Sequence, residues 1–94
     1  MSWRRVRRRR RVARIAAVLL AVPDHRYTQV EIQRVTGIRS RPIVQFLDSG
    51  KASGWFENGW ADGPEGQHRR RWYAVTPRGR EQLTGFVQWG LDAT

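Results

Sequence analysis

Residues 28–54 read TQVEIQRVTGIRSRPIVQFLDSGKASG and carry the start and stop signals of two short helices. The first begins with a capping box, in which the Thr28 hydroxyl and the Glu31 carboxylate satisfy free backbone N–H groups at the helix start. Gly37 ends it, because glycine tolerates the left-handed backbone that commonly follows a last helical turn. Its predicted inward-facing residues are Ile32 and Val35.

The second helix of this stretch is predicted to start at Ser40, with Pro42 tolerated in the first turn. Its predicted inner stripe is Val44 and Leu47, with Ile43 and Phe46 at the edges. Gly50, Ser53 and Gly54 are expected to weaken this helix and stop it. Two short helices joined by a tight turn at Gly37 form a helix-turn-helix.

A further helix and a basic arm precede this unit. Apolar residues recur at i, i+3, i+4, i+7 and i+8 in Val12, Ile15, Ala16, Leu19 and Leu20, a pattern that indicates a helix with one apolar face. Pro23 with Asp24 ends it. Residues 1–11 are dense in arginine, and mutual repulsion predicts an arm that is mobile without a partner. The alternative is that they extend the first helix, because arginine is a good helix former.

The period of the pattern changes from helical to alternating after Gly54. Residues 55–60 and 71–75 are predicted to be strands, and the turn formers of residues 62–66 join them into a hairpin. Thr76 and Pro77 then mark a fourth helix, with a capping hydroxyl followed by proline at the first helical position. Its predicted apolar face contains Leu83, Phe86, Val87, Gly90 and Leu91.

The predicted order is therefore helix, helix, helix, hairpin, helix. This order predicts an α+β fold of the winged helix-turn-helix type, with three helices, a two-stranded β-hairpin wing and a C-terminal helix. The predicted divisions are a basic arm at 1–11, one domain at 12–91 and a tail at 92–94. A chain of 94 residues is suited to one such domain.

The charge of the chain favours a polyanionic partner. Its formal net charge is +10, and Lys51 is the one lysine among 18 basic residues. Arginine makes bidentate contacts with phosphate and guanine, so nucleic acid is a better candidate than an anionic membrane surface. The apolar run Ile15 to Val22 after the arginines also fits a short signal peptide, but no clear small-residue cleavage site follows it. The run is too short to cross a bilayer.

The predicted third helix would lie in the major groove of duplex DNA. Three groups of residues are the candidate DNA contacts. The third helix supplies Arg39, Ser40, Arg41, Gln45 and Lys51; the returning strand supplies Arg69, Arg70 and Arg71; the arm supplies Arg4, Arg5, Arg7 and Arg8. The arm is expected to enter the minor groove or to neutralise phosphates.

Strand alternation places the wing arginines on two faces, Arg69 and Arg71 on one, His68 and Arg70 on the other. Asp62 and Glu65 make the predicted hairpin tip acidic, which favours contact through the base of the wing. The nearby aromatic residues are Trp55, Phe56, Trp60, Trp72 and Tyr73. Such residues can stack on unpaired bases, but packing in the small core is the preferred interpretation.

The chain resembles the PadR-like winged-helix regulators of bacteria and their phages over roughly residues 12–88. The resemblance lies in Val44 and Leu47 leading to Gly54-Trp55-Phe56, in the arginine-rich and aromatic strand of residues 69–75, and in Thr76-Pro77-Arg78-Gly79-Arg80. It implies a cytosolic, repressor-like protein that binds its operator as a homodimer. No residue pattern identifies an effector.

The sequence gives little support for catalysis. It contains no cysteine and only two histidines, His25 and His68, without metal-ligand spacing. We therefore expect no enzyme activity, no metal and no cofactor. The preferred prediction is a sequence-specific double-stranded DNA-binding regulator that is cytoplasmic and nucleoid-associated. The alternative is an architectural or recombination accessory protein with low sequence specificity. Leftover apolar residues (Leu20, Trp89 and Leu91) favour a homodimer through the first and last helices.

Overall fold

A computed structural model describes residues 2–22, 24–62 and 69–92. The described chain is a small α+β fold with four helices and a three-stranded antiparallel sheet. The elements are α1 (Trp3–Ala21), β1 (Tyr27–Thr28), α2 (Gln29–Thr36), α3 (Ser40–Ala52), β2 (Phe56–Ala61), β3 (Arg70–Val75) and α4 (Pro77–Leu91). Pro23, the hairpin tip at residues 63–66, His68 and the tail residues 93–94, all used in the predictions above, lie outside the described residues.

The predicted arm at 1–11 is not a separate segment, because α1 runs without a break from Trp3 to Ala21. The alternative, an extended first helix, is the one found. Contacts with the end of α4 explain it: Arg9 donates a hydrogen bond to the Trp89 carbonyl at 2.8 Å. A Cβ added to Gly90 would lie 2.1 Å from the Ala13 Cβ, so the two helices are in close contact there.

The predicted caps of α2 are confirmed. Thr28 and Glu31 form the capping box, and Gly37 ends the helix with φ of 70°. Ile32 is fully buried as predicted. The prediction that Val35 faces inward is wrong, because its side chain is 69% exposed. Thr36 takes the inward place, and its hydroxyl donates to the Ile32 carbonyl at 2.7 Å, which satisfies its polar group in the core.

The predicted start of α3 at Ser40 is confirmed, with Arg39 as the cap residue. Two other predictions about this helix need correction. The buried stripe is Ile43, Phe46, Leu47 and Gly50, whereas Val44 is only half-buried. Gly50 does not stop the helix. A Cβ on it would lie 2.1 Å from the Phe56 ring, so glycine lets the first residue of β2 pack against α3.

The predicted hairpin is confirmed with small shifts at its ends, but the sheet has a third strand. Thr28 and its neighbour Tyr27 pair with β3, which lies in the centre of the order β1-β3-β2. The sequence-based prediction contained the β2–β3 pair but not the third strand. Phe56 and Tyr73 project into the core from this sheet, so the sheet covers α2 and α3 on one face.

The start of α4 is as predicted, with Thr76 as cap and Pro77 in the first turn. The Thr76 hydroxyl accepts from the Gly79 N–H at 3.0 Å and donates to the Gly54 carbonyl at 2.8 Å, so it joins α4 to the end of α3. α4 then packs antiparallel to α1 and buries Leu83. The core consists of Ile15, Ala16, Leu19, Tyr27, Ile32, Ile38, Ile43, Phe46, Leu47, Phe56, Tyr73 and Leu83.

The capping box of α2 gives a pH-dependent contribution to stability. Burial alone would raise the pKa of Glu31, but hydrogen bonds from His25 and the Thr28 N–H outweigh it, so that pKa is below its ordinary value. A lowered folded-state pKa stabilises the fold above the unfolded pKa, and this contribution is lost on acidification below about pH 4.3.

We expect Glu31→Gln to destabilise the protein by about 0.2–1 kcal/mol at pH 7, because glutamine keeps the cap but replaces the charged partner of the His25 hydrogen bond with a neutral one. Urea denaturation at several pH values measures this. The wild-type and variant stabilities should converge at low pH. Thr76→Ala, which removes the hydroxyl cap of α4 away from Glu31, is the control and should cost about 1 kcal/mol at every pH. A constant difference for Glu31→Gln would contradict the assignment.

Candidate nucleic-acid interface

The outward stripe of α3 carries Arg41, Gln45 and Asp48. All three side chains are exposed, because they lie opposite the buried stripe of the helix. Within the described residues, none of them makes a hydrogen bond or an ion pair. Arg39 and Ser40 are exposed at the start of the same helix. The predicted reading residues are therefore all accessible.

A basic cleft of about 780 Å³ lies between α1 and the start of α3. It is lined by Arg7, Arg10, Arg11, Arg14, Ile38, Arg39, Arg41 and Pro42. No carboxylate is among these lining residues. The ion pairs of the described chain involve other groups: His25 with Glu31, Arg69 with Asp62 and Arg80 with Asp24. Six guanidinium groups therefore converge without an anionic partner from the described residues.

Helical spacing brings the α1 arginines of the basic cleft together. Arg7, Arg10, Arg11 and Arg14 are separated by three, four and seven residues, which places them on one face of a helix. Arg14 donates a hydrogen bond to the Thr36 carbonyl at the end of α2, where the helix dipole favours a cation. This contact holds α1 beside the turn that leads into α3.

A second cleft of about 540 Å³ lies beside the basic cleft, and we call it the aromatic cleft. Its lining residues are Arg8, Arg11, Val12, Ile15, Pro42, Gln45, Phe46, Ser49, Trp55, Phe86 and Trp89. It shares Arg11 and Pro42 with the basic cleft, so the two are continuous along α3. At the outer end of the aromatic cleft, Trp89 lies beside Arg5, Arg8 and Arg9. The Arg9 guanidinium is 4.8 Å from the centre of the Trp89 ring.

The sheet places further arginines on the opposite side of α3. Arg70 and Arg71 line a cleft of about 220 Å³ together with Val44 of α3 and Gln29 of α2. The Arg71 guanidinium lies 4.9 Å from the Trp60 ring, and its Nε is buried without a hydrogen-bond partner among the described residues. Cationic groups therefore flank the exposed stripe of α3 from both α1 and β3.

Of the twelve predicted contacts, Arg7, Arg39 and Arg41 line the basic cleft, and the other nine lie outside it. Arg4 is exposed on the first turn of α1, and Arg5 lies near Trp89. Lys51 is exposed at the far end of α3. Arg69 precedes β3, and its exposed guanidinium pairs with Asp62 at 3.4 Å. Of the four arm residues predicted as contacts, the structure brings only Arg7 into the basic cleft.

The aromatic residues divide between core and surface. Phe56 and Tyr73 are buried and Trp55 packs against the core, as the packing interpretation predicts. Trp60 is 58% exposed at the far end of the sheet. The Trp72 ring lies under the Arg26 guanidinium at 4.2 Å and close to Gly59, so it has protein neighbours on the sheet surface.

The sequence-based candidates omitted Arg10, Arg11, Arg14 and Asp48. Arg10, Arg11 and Arg14 share a helical spacing with Arg7. That spacing identifies them as neighbours only if the segment is a helix, and the preferred sequence-based prediction was an arm without regular structure. A carboxylate is a poor phosphate contact, so the basic character of the chain does not single out Asp48.

No protein-family model, curated protein or solved structure matches this chain. Among the described residues, no helix has the length and apolar character needed to cross a membrane. In the same residues, no cluster of three or more histidine and acidic side chains is arranged to hold a metal ion.

Proposed function

We propose that this protein binds double-stranded DNA, with α3 in the major groove and the basic cleft on the adjacent phosphate backbone. The observation that carries the proposal is the convergence of six arginines of α1 and the start of α3 without any carboxylate in the cleft. Bringing like charges together costs free energy in the isolated protein, and a phosphate backbone offsets that cost through paired charges and released counterions.

The helical state of residues 3–11 changes the expected role of the arginines. An α-helix with side chains is about 10–12 Å wide, whereas the minor groove of B-DNA is about 6 Å wide. α1 therefore cannot lie in a minor groove as an extended arm can. Its arginines contact phosphates instead, beside the groove that α3 enters.

The winged helix-turn-helix assignment is part of this proposal. In it, α2 and α3 are the helix-turn-helix, and β2 with β3 is the wing. The arginines of β3 flank α3 from the side opposite α1, as a wing on the neighbouring backbone requires. The resemblance to PadR-like regulators supports the same arrangement.

Sequence-specific regulation is the preferred form of the proposal. Arg41 and Gln45 are exposed and unpaired among the described residues, and these two residue types pair with guanine and adenine edges in the major groove. An architectural protein needs only the backbone contacts.

Self-association through α1 and α4 is also proposed. Trp89 is partly exposed and Leu91 is 63% exposed at the end of α4, beside the first half of α1. A two-fold dimer would cover these residues and would bind two half-sites about one helical turn apart.

Selection of bound fragments from random duplex DNA at physiological salt tests the function. A regulator should prefer its selected site by about 10³-fold or more. Arg41→Ala should reduce discrimination at one base pair by about 1–3 kcal/mol while leaving duplex binding detectable. If the wild type binds all duplexes equally, the architectural alternative is supported. Failure to bind any duplex would exclude both.

A further inference from the structure

Asp48 is an unusual residue for a surface that binds phosphate. It is exposed on the same stripe of α3 as Arg41 and Gln45, between the arginines of α1 and those of β3. Phosphate groups would repel its carboxylate. Asp48 thus weakens any purely electrostatic contact between this stripe and DNA.

The fold gives Asp48 no structural task. Its carboxylate forms no hydrogen bond or ion pair within the described residues, although Lys51 lies three residues further along α3. It does not cap the helix. An exposed side chain without a partner among the described residues, which phosphate would repel, is most easily explained by a hydrogen-bond donor of the ligand.

The exposed stripe of α3 is long enough to span several base pairs. Arg41 and Asp48 are seven residues apart, which is about 10.5 Å along a helix axis. Base pairs in B-DNA are stacked about 3.4 Å apart, so these two side chains are separated by the length of about three base-pair steps. Gln45 lies between them.

We propose that Asp48 is a base-reading residue that accepts a hydrogen bond from the N4 amino group of a cytosine, about three base pairs from the base read by Arg41. This inference rests on the proposed function. Cytosine presents a donor in the major groove, whereas guanine presents acceptors at N7 and O6 and thymine presents one at O4. The carboxylate therefore favours cytosine and disfavours guanine and thymine at that position.

The test is base selection with Asp48→Asn and with wild-type protein, followed by affinity measurements on duplexes that differ at one base pair. Wild-type protein should prefer cytosine at this position by about 5- to 150-fold, the equivalent of about 1–3 kcal/mol at 1.4 kcal/mol per tenfold. Asparagine pairs with adenine N6 and N7, so the variant should change the preference from cytosine to adenine. All other positions should keep their wild-type preference.

Glu81→Gln is the matched control, because Glu81 is an exposed carboxylate on α4 without a partner among the described residues. It removes the same charge and should leave every base preference unchanged. The inference is overturned if Asp48→Asn also leaves every preference unchanged, or if the wild type binds duplex DNA without any base preference. Absence of all duplex binding would instead refute the proposed function, and this result is distinct from binding with an unaltered preference.

Discussion

Replacing both Arg7 and Arg10 with glutamine is expected to weaken binding to duplex DNA by about 60-fold at 0.1 M salt. The two side chains line the basic cleft, and each is expected to contact a phosphate. Each phosphate contact contributes about −0.9 to the slope of log K against log salt concentration. Losing two contacts therefore changes the slope by about 1.8. Between 1 M and 0.1 M salt, this corresponds to a loss of about 10^1.8 in affinity. Fluorescence anisotropy across a salt series should show a slope reduced in magnitude by about 1.8.

The matched control is the double replacement of Arg78 and Arg80 with glutamine. It causes the same change in net charge, but both residues lie in the first turn of α4, near the end of α1 rather than its start. We expect a small loss of affinity from the weaker overall field and little change in the salt slope. Equal losses in the two double variants would show that DNA responds to total charge rather than to the basic cleft.

Gly79→Ala is expected to destabilise the fold by about 3 kcal/mol, at the upper end of the usual cost of overpacking. A Cβ at this position would lie 2.1 Å from the carbonyl oxygen of Trp55. That oxygen also accepts the Thr76 N–H at 2.9 Å, so moving it away would disturb the junction of α3, β3 and α4. The melting temperature should fall by about 12–24 °C.

Gly85→Ala in the same helix provides the control. An added Cβ has no neighbour within 4 Å there, so the clash is absent. Alanine should stabilise the helix by about 1 kcal/mol relative to glycine, which raises the melting temperature by about 4–8 °C. The two variants should therefore shift the melting temperature in opposite directions, which thermal unfolding followed by circular dichroism measures. A similar effect at both positions would contradict the packing at Gly79.

Local signals in the sequence predicted most of the helices. The capping box at Thr28 and Glu31, the left-handed Gly37 and the cap at Thr76 each act through neighbours within a few residues, so they are legible without tertiary structure. The strand β1 was missed because it has only two residues. Its formation depends on pairing with β3, which is distant in the sequence.

Tertiary packing decided which faces are buried. Several apolar residues compete for the inner face of α3, and the sequence favoured Val44 over Ile43 and Phe46. The structure buries the latter two, because a stripe that includes Gly50 lets Phe56 approach the helix. Packing also decides the inner face of α2, where polar Thr36 is buried and apolar Val35 is exposed. Thr36 can be buried because its hydroxyl donates a hydrogen bond to a carbonyl of its own helix.

The candidate site was predicted in part. Arg39 and Arg41 follow directly from the position of the third helix, and the structure places both at the basic cleft. The contribution of Arg10, Arg11 and Arg14 depends on a helical first segment that runs beside α3. Repulsion among the arginines suggested a mobile arm, but packing of α1 against α4 places these residues in a helix.

Nuclear magnetic resonance of the arginine side chains can show whether duplex DNA contacts the basic cleft. Signals of the Nε–Hε groups would be followed while a short duplex is added at physiological salt. If the basic cleft binds DNA, large shifts are expected for its arginines, Arg7, Arg10, Arg11, Arg14, Arg39 and Arg41, with little change at Arg78 and Arg80. Shifts confined to the arginines of α4, or no shifts at all with saturating duplex, would contradict DNA binding by the cleft.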